Sequence, residues 1–269
     1  INGGKHNSAF GFCALKATGT KCLNTAIGHK SMTSLTTGCH NTGLGYGSLC
    51  AATTACDNDA MGYGALGALT TGCRNTAVGF AAGNATTTGT CNFFGGNYAA
   101  TKNTTGHSNV AIGRQAMGCN TTASYNTVVG ACAFYCNTTG GDAVVAMGFK
   151  AMHNNTTGKC NTALGFCSMH GITEGCFNTA SGYRSAAGTT TGSYNVAYGA
   201  NSLLSNTTGL SNNAVGYATM YSNTTGQLNT AIGDGALYNN TTAHCNVAVG
   251  RIALYANTTG ALNVAVGTD

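Results

Sequence analysis

Fourteen cysteines, seven histidines and six acidic residues are the side chains of this 269-residue chain that could do covalent, metal or acid–base chemistry. Their spacing argues against a reactive centre. The acids are Asp57, Asp59, Asp142, Glu174, Asp234 and Asp269. Only Asp57 and Asp59 are close in sequence, and they lie in a weakened copy of the repeat. There is no His-Glu-x-x-His, no nucleophile elbow, no phosphate loop and no compact Cys/His cluster with zinc spacing. His153 and His170 share a register, but two ligands do not make a metal centre. The chain is therefore read as a non-enzyme with no cofactor and no metal. The cysteines nevertheless have a pattern: Cys22, Cys39, Cys56 and Cys73 recur every 17 residues, and Cys119 and Cys136 share another register.

That interval is the period of the whole chain. Counting back from Gly267, one glycine recurs every 17 residues at Gly250, Gly233, Gly216, Gly199, Gly182, Gly165 and Gly148. After one inserted residue near Gly140-Gly141 it continues at Gly130, Gly113, Gly96, Gly79, Gly62, Gly45, Gly28 and Gly11. Asparagine stands four residues before it in 15 of these 16 units, as at Asn24, Asn75, Asn109, Asn161, Asn229 and Asn246; Val144 is the exception. The residue just before the glycine is usually apolar, including Ile27, Val78, Ile112, Val129, Ile232 and Val249. Ala, Ser or Thr follows three residues after it, then a larger apolar residue such as Leu15, Met32 or Leu237.

A unit this short excludes helix-turn-helix repeats, and it lacks a leucine-rich signature. Two short extended segments per unit, one at NTAVG and one around ALY, separated by NTTG, fit a coil of a parallel β-solenoid, a β-helix or β-roll. The expectation is an all-β fold with 17 residues per coil, about 16 coils and one repeat domain over 1–269, with the register insertion at 140–141. Identical residues would stack at about 4.8 Å. The glycines, among them Gly28, Gly79, Gly113, Gly165, Gly233 and Gly250, would mark a corner where a Cβ clashes. The asparagines would form an amide ladder, and the apolar residues before the glycine one interior stack. The alanines two before the glycine either face a close neighbour or fit a tight interior.

Composition agrees with a scaffold: 41 glycines, no proline, no tryptophan and only 6% charged residues. No apolar run is long enough for a membrane helix. The net charge of +5 is spread thinly, without the basic cluster of a nucleic-acid footprint. The chain opens Ile-Asn-Gly-Gly, with neither Met nor signal peptide, and is read as a processed product, a fragment or part of something larger.

The stacked registers suggest further chemistry. Cysteines in one column of adjacent coils come near enough for coil-to-coil disulfides, assigned as Cys22–Cys39, Cys56–Cys73 and Cys119–Cys136; the other reading is small hydrophobes in the coil. Sequons at Asn84, Asn103, Asn120, Asn137, Asn154, Asn155, Asn206, Asn223, Asn240 and Asn257 would accept N-glycans in a eukaryotic secretory context. Equally, Asn-Thr-Thr-Gly is good turn chemistry. Each threonine column lies inside, outside or in a turn; an outer one would suit ice binding. Tyr221, Tyr238 and Tyr255 share the register of His153 and His170 and would stack.

The NTAIG…AL…NTTG pattern, clearest at Asn24–Gly28, Asn75–Gly79 and Asn229–Gly233, resembles the repeats of bacteriophage tail-fibre and cell-surface fibre proteins. More distantly it is similar to the head repeats of trimeric autotransporter adhesins, which are left-handed parallel β-rolls packed as trimers. The 17-residue unit is longer than the adhesin repeat, and the cysteine count is foreign to that family. The resemblance implies a structural shaft or adhesive segment of an extracellular, cell-surface or virion fibre. It would assemble with itself as a homotrimer or filament and contact cell-surface carbohydrate or another fibre protein, with no nucleic acid and no membrane insertion. An ice-binding solenoid is the alternative.

Overall fold

A computed structural model describes residues 4–268. It is an all-parallel β-solenoid with one three-residue strand per coil, sixteen strands in chain order. By contacts the chain divides into two compact units. The first runs to Cys132 and includes Asn137–Thr139; the second holds Ala133–Cys136 and the chain from Gly140 onward. The first unit contains β1 (Ser8–Phe10) to β8 (Thr127–Val129), the second β9 (Val145–Met147) to β16 (Val264–Val266). Within each, successive strands pair in register with a shift of one repeat, as in Thr25↔Thr42 and Thr230↔Val247.

The second extended segment expected around ALY is not a strand. That part of the coil is a chain of turns, and its apolar residue is left-handed, with φ of 52° at Leu237 and 48° at Met32. The reason lies in where the peptide groups point. Lys30 N–H reaches back to Phe12 O in the preceding coil at 2.9 Å, while Met32 N–H reaches forward to Ser48 O at 3.0 Å. Alternating right- and left-handed residues thus turn successive N–H groups up and down the coil axis. A left-handed non-glycine residue costs roughly 1–2 kcal/mol; here coil-to-coil hydrogen bonds offset it. Because donors are used along strand and turns alike, proline, which has none, finds few tolerable positions.

The repeat glycine is required twice over. At Gly28 φ is +127°, and an added Cβ would lie 2.6 Å from Gly45 O in the next coil. The one-residue insertion is absorbed at Gly141, whose φ is +78°.

The interior corrects the sequence reading. Ile27, Val78, Ile112 and Ile232, expected inside, are each about 40% exposed, and Val129 and Val249 are only partly covered. Their strands turn the middle residue inward instead, and it is nearly always alanine: Ala26, Ala77, Ala111, Ala231 and Ala248 are fully buried. The interior there is narrow because the left-handed apolar residue reaches beneath the strand. At Gly43, which takes the alanine's place, an added Cβ would already lie 3.0 Å from Met32 Cε. Leu15, Met32, Leu49, Leu66, Met117, Phe134, Met152 and Leu203 form this lateral core, each contributing roughly 1.5–3 kcal/mol by burial.

Candidate interaction faces

Two asparagine columns line the interior. In the first, Asn41 Nδ2 donates to Asn24 Oδ1 at 3.0 Å and to Ala55 O, across the coil, at 2.8 Å; the same Asn24 oxygen accepts Asn41 N–H at 3.0 Å. Asn75, Asn109, Asn161, Asn229 and Asn246 take part in the same ladder. One side chain therefore ties its own turn to the opposite wall and to the preceding coil.

The second column is made of sequon asparagines, and it overturns their reading as glycan acceptors. Asn103, Asn137, Asn155, Asn206 and Asn223 are fully buried, and Asn257 is partly so. Asn223 Nδ2 donates to Asn206 Oδ1 at 2.8 Å and to Gly226 O at 3.1 Å, and Asn240 Nδ2 donates to Asn223 Oδ1 at 2.8 Å. The nitrogen that would carry a sugar is spent inside the coil. The sequence contained the signal: Leu35, Ala52, Leu69 and Ile172 occupy this same register in other coils, and a position shared by Leu and Asn is an interior one.

The expected disulfides are not formed. All fourteen cysteines are free thiols, including Cys22, Cys39, Cys56, Cys73, Cys119 and Cys136. In a translated column the Cβ atoms are about 4.8 Å apart and point in parallel, whereas a bridge needs about 3.5–4.5 Å and convergence. The sulfurs instead serve the turn: Cys56 Sγ accepts Cys39 N–H at 3.4 Å and contacts Thr54 O at 3.5 Å. A hydrogen bond with Cys39, then burial, pushes the Cys22 thiol above its usual range.

Outside, one face is apolar. The last residue of each strand presents Phe10, Ile27, Leu44, Met61, Val78 and Ile112 in the first unit and Met147, Leu164, Tyr198, Val215 and Ile232 in the second, all exposed. Two residues earlier stand mostly Thr and Val, of which Asp59 is the single charged one. Just beyond the glycine a ring column flanks this face. Phe12, His29, Tyr46, Tyr63 and Phe80 stack with centroids 4.9–5.4 Å apart in the first unit, as do Phe149, Phe166 and Tyr183 in the second at 5.3–5.5 Å. These rings meet one another face to face and show the solvent mainly their edges.

A second exposed register is the latter residue of each Thr-Thr pair, as at Thr37, Thr54, Thr71, Thr88, Thr105 and Thr122, then Thr157, Thr191, Thr208, Thr225 and Thr242, with Glu174 as the interruption. Its partner is used structurally: Thr70 Oγ1 donates to Thr87 O at 3.1 Å and Thr207 Oγ1 to Thr224 O at 3.1 Å. Only one threonine of each pair is thus on offer to a partner.

On another side of the second unit, Tyr135, His153 and His170 stack, then Tyr221, Tyr238 and Tyr255. Ala187 and Leu204 interrupt the column and leave an open groove of about 430 Å³ lined by Cys167, His170 and Arg184. Burial first, then His153, Lys150 and Arg184, hold the His170 imidazole below its usual range. Asp57 and Asp59 do not converge: Asp57 pairs with His40 at 3.4 Å, while Asp59 lies exposed on its strand. Among the described residues no group of three or more His, Cys, Asp or Glu could hold a metal ion.

Sequence reasoning missed Lys21. It is fully buried where most coils have Gly or Ala, and its Nζ donates to Ala17 O and to Leu35 O, the latter at 3.0 Å. Burial lowers its pKa. The signal was its register, where almost every other unit carries a residue no larger than alanine.

No protein-family profile, curated protein or solved structure matches this chain. The architecture is that of fibrous and repeat proteins in general.

Proposed function

We propose that this chain is a structural, non-catalytic segment of an extracellular or virion fibre that assembles with itself through one face of the solenoid. One observation carries the reading: interior polar side chains are committed coil to coil, while the exposed surface repeats the same side-chain types in columns. Such a construction propagates a surface over distance. Homotrimer and filament both suit it, as does contact with another fibre protein. Cell-surface carbohydrate is the weaker partner, because the stacked rings have already used the faces on which a sugar would lie. The deciding experiment is electron microscopy of native material with mass measurement. Fibres built from this chain are expected; a dispersed monomer in native material would end the reading.

The exposed threonine column supports the second reading, an ice-binding surface. Thermal hysteresis and faceted ice growth from the monomer, abolished by Thr105→Lys and Thr208→Lys, would establish it in place of the first.

A further inference from the structure

Resting on the fibre reading, we infer that the apolar strand face is the self-association surface and that its occupant is the strand face of a second copy of this chain. The residues before the repeat glycine are those a packed interior would select, yet in the single chain they stand in water. Ile27, Leu44, Val78, Ile112 and Ile232 are each about 40% exposed. An exposed run of aliphatic side chains of this length marks a contact surface.

Three properties of the face choose the partner. The first is charge. Strand-end positions carry no charged side chain, and Asp59 is the single one at strand-start positions. An acidic or basic partner would find nothing to pair with, whereas the same apolar face is its own complement. The second is period. Side chains recur once per coil, and the stacked rings measure that step at 4.9–5.5 Å. A partner touching every rung must repeat at the same step, and a second copy does so by construction, its side-chain ridges seating between the rungs of the first. The third is area. Eight strands per unit, about 4.8 Å apart and about 10 Å long, give roughly 400 Å² per unit. Covered by an equal patch, one unit's face buries about 800 Å² in total, the scale of a weak contact that repetition along a fibre reinforces. Apolar sheet faces pack in this way about 10 Å apart.

The outward direction of these side chains also makes the test clean, since changing them leaves the inner packing alone. Sedimentation equilibrium over a concentration series would compare the parent with a triple variant, Ile27→Lys, Ile112→Lys and Ile232→Lys. A parallel variant, Thr37→Lys, Thr105→Lys and Thr208→Lys, controls for added charge. A third, with serine at the same three isoleucines, guards against misfolding, because Ser181 already occupies this register; circular dichroism verifies the fold of each. The parent and the threonine variant should associate alike, while both isoleucine variants stay folded and need at least tenfold higher concentration. Association of the folded isoleucine variants at the parent's concentration would overturn the inference, as would a parent that stays monomeric throughout. Either result leaves the fibre reading to be judged separately, by microscopy of native material.

Discussion

Leu35, Ala52 and Leu69 in the first unit and Asn206, Asn223 and Asn240 in the second occupy one and the same position of the coil. The backbone does not distinguish them: Leu69 N–H meets Leu66 O at 3.1 Å, and Asn223 N–H meets Met220 O at 3.2 Å. What differs is how the interior is satisfied. A leucine works alone by burying apolar surface, whereas an asparagine works only in company, each amide needing the one in the coil before and after. The position therefore accepts either chemistry in runs of several coils, as Leu35, Ala52 and Leu69 give way to Asn103, Asn120 and Asn137 within the first unit, but an isolated apolar residue inside an asparagine run leaves polar atoms of its neighbours without partners. Ile172 shows the consequence: it interrupts such a column between Asn155 and Thr189, and Asn155 Oδ1 and Thr189 Oγ1 are two of three buried polar side-chain atoms without a hydrogen-bond partner among the described residues.

The largest effect should come from breaking an intact ladder. Asn223→Leu orphans Asn206 Oδ1 and takes one acceptor from Asn240, so stability should fall by about 2–4 kcal/mol in denaturant unfolding, a buried orphan costing roughly 1–3 kcal/mol. Replacing Asn206, Asn223, Asn240 and Asn257 together by Leu should cost less than the single change, within about 2 kcal/mol of the parent, because donors and acceptors leave together. A quadruple variant less stable than the single one would refute the company rule. Smaller again, Ile172→Asn should leave stability within about 1 kcal/mol of the parent, the lost apolar burial being offset by partners for both orphans. The same comparison predicts that folded protein secreted from eukaryotic cells carries no glycan at Asn206, Asn223 or Asn240 by intact mass.

The smallest effect is that of pH on the second unit. The His170 pKa lies below the ordinary 6.5, so the folded state binds its proton less readily than the unfolded chain does. Its stability contribution is full above about 6.5 and declines as pH falls through the lowered folded value. Thermal unfolding should show a shallow acid loss over that window, flattened in His170→Gln.

The repeat glycines and the first asparagine column could be read from sequence because each has a stringent physical demand, a close backbone approach or an amide ladder, that few other residues meet. The inside and outside of the strand could not. Three residues are too few for alternation to declare its face, and the usual preference for burying Ile over Ala points the wrong way in so narrow a coil. The compensating signal was present at Phe94, a bulky residue in the alanine register. It is tolerated because Gly83 and Ala100 stand in the lateral-core register, and a Cβ on Gly83 would lie 2.5 Å from the Phe94 ring. Volume is thus conserved between two positions that only the folded coil brings together. Likewise the sequons look like acceptors in one dimension, and only stacking shows that their amides face each other.

The coil-to-coil bonding also bears on how such a chain can change its length. Every ladder described above joins a residue to its counterpart 17 positions away, as Asn206 to Asn223 to Asn240. Removing one full period within the second unit, for example residues 212–228, would bring Asn240 opposite Asn206 and Thr230 opposite Val196, with equivalent groups left to pair. A gene that duplicates or loses whole repeats can therefore lengthen or shorten the product in steps of one coil without a new packing problem, whereas a shift of a few residues must be absorbed locally, as at Gly141.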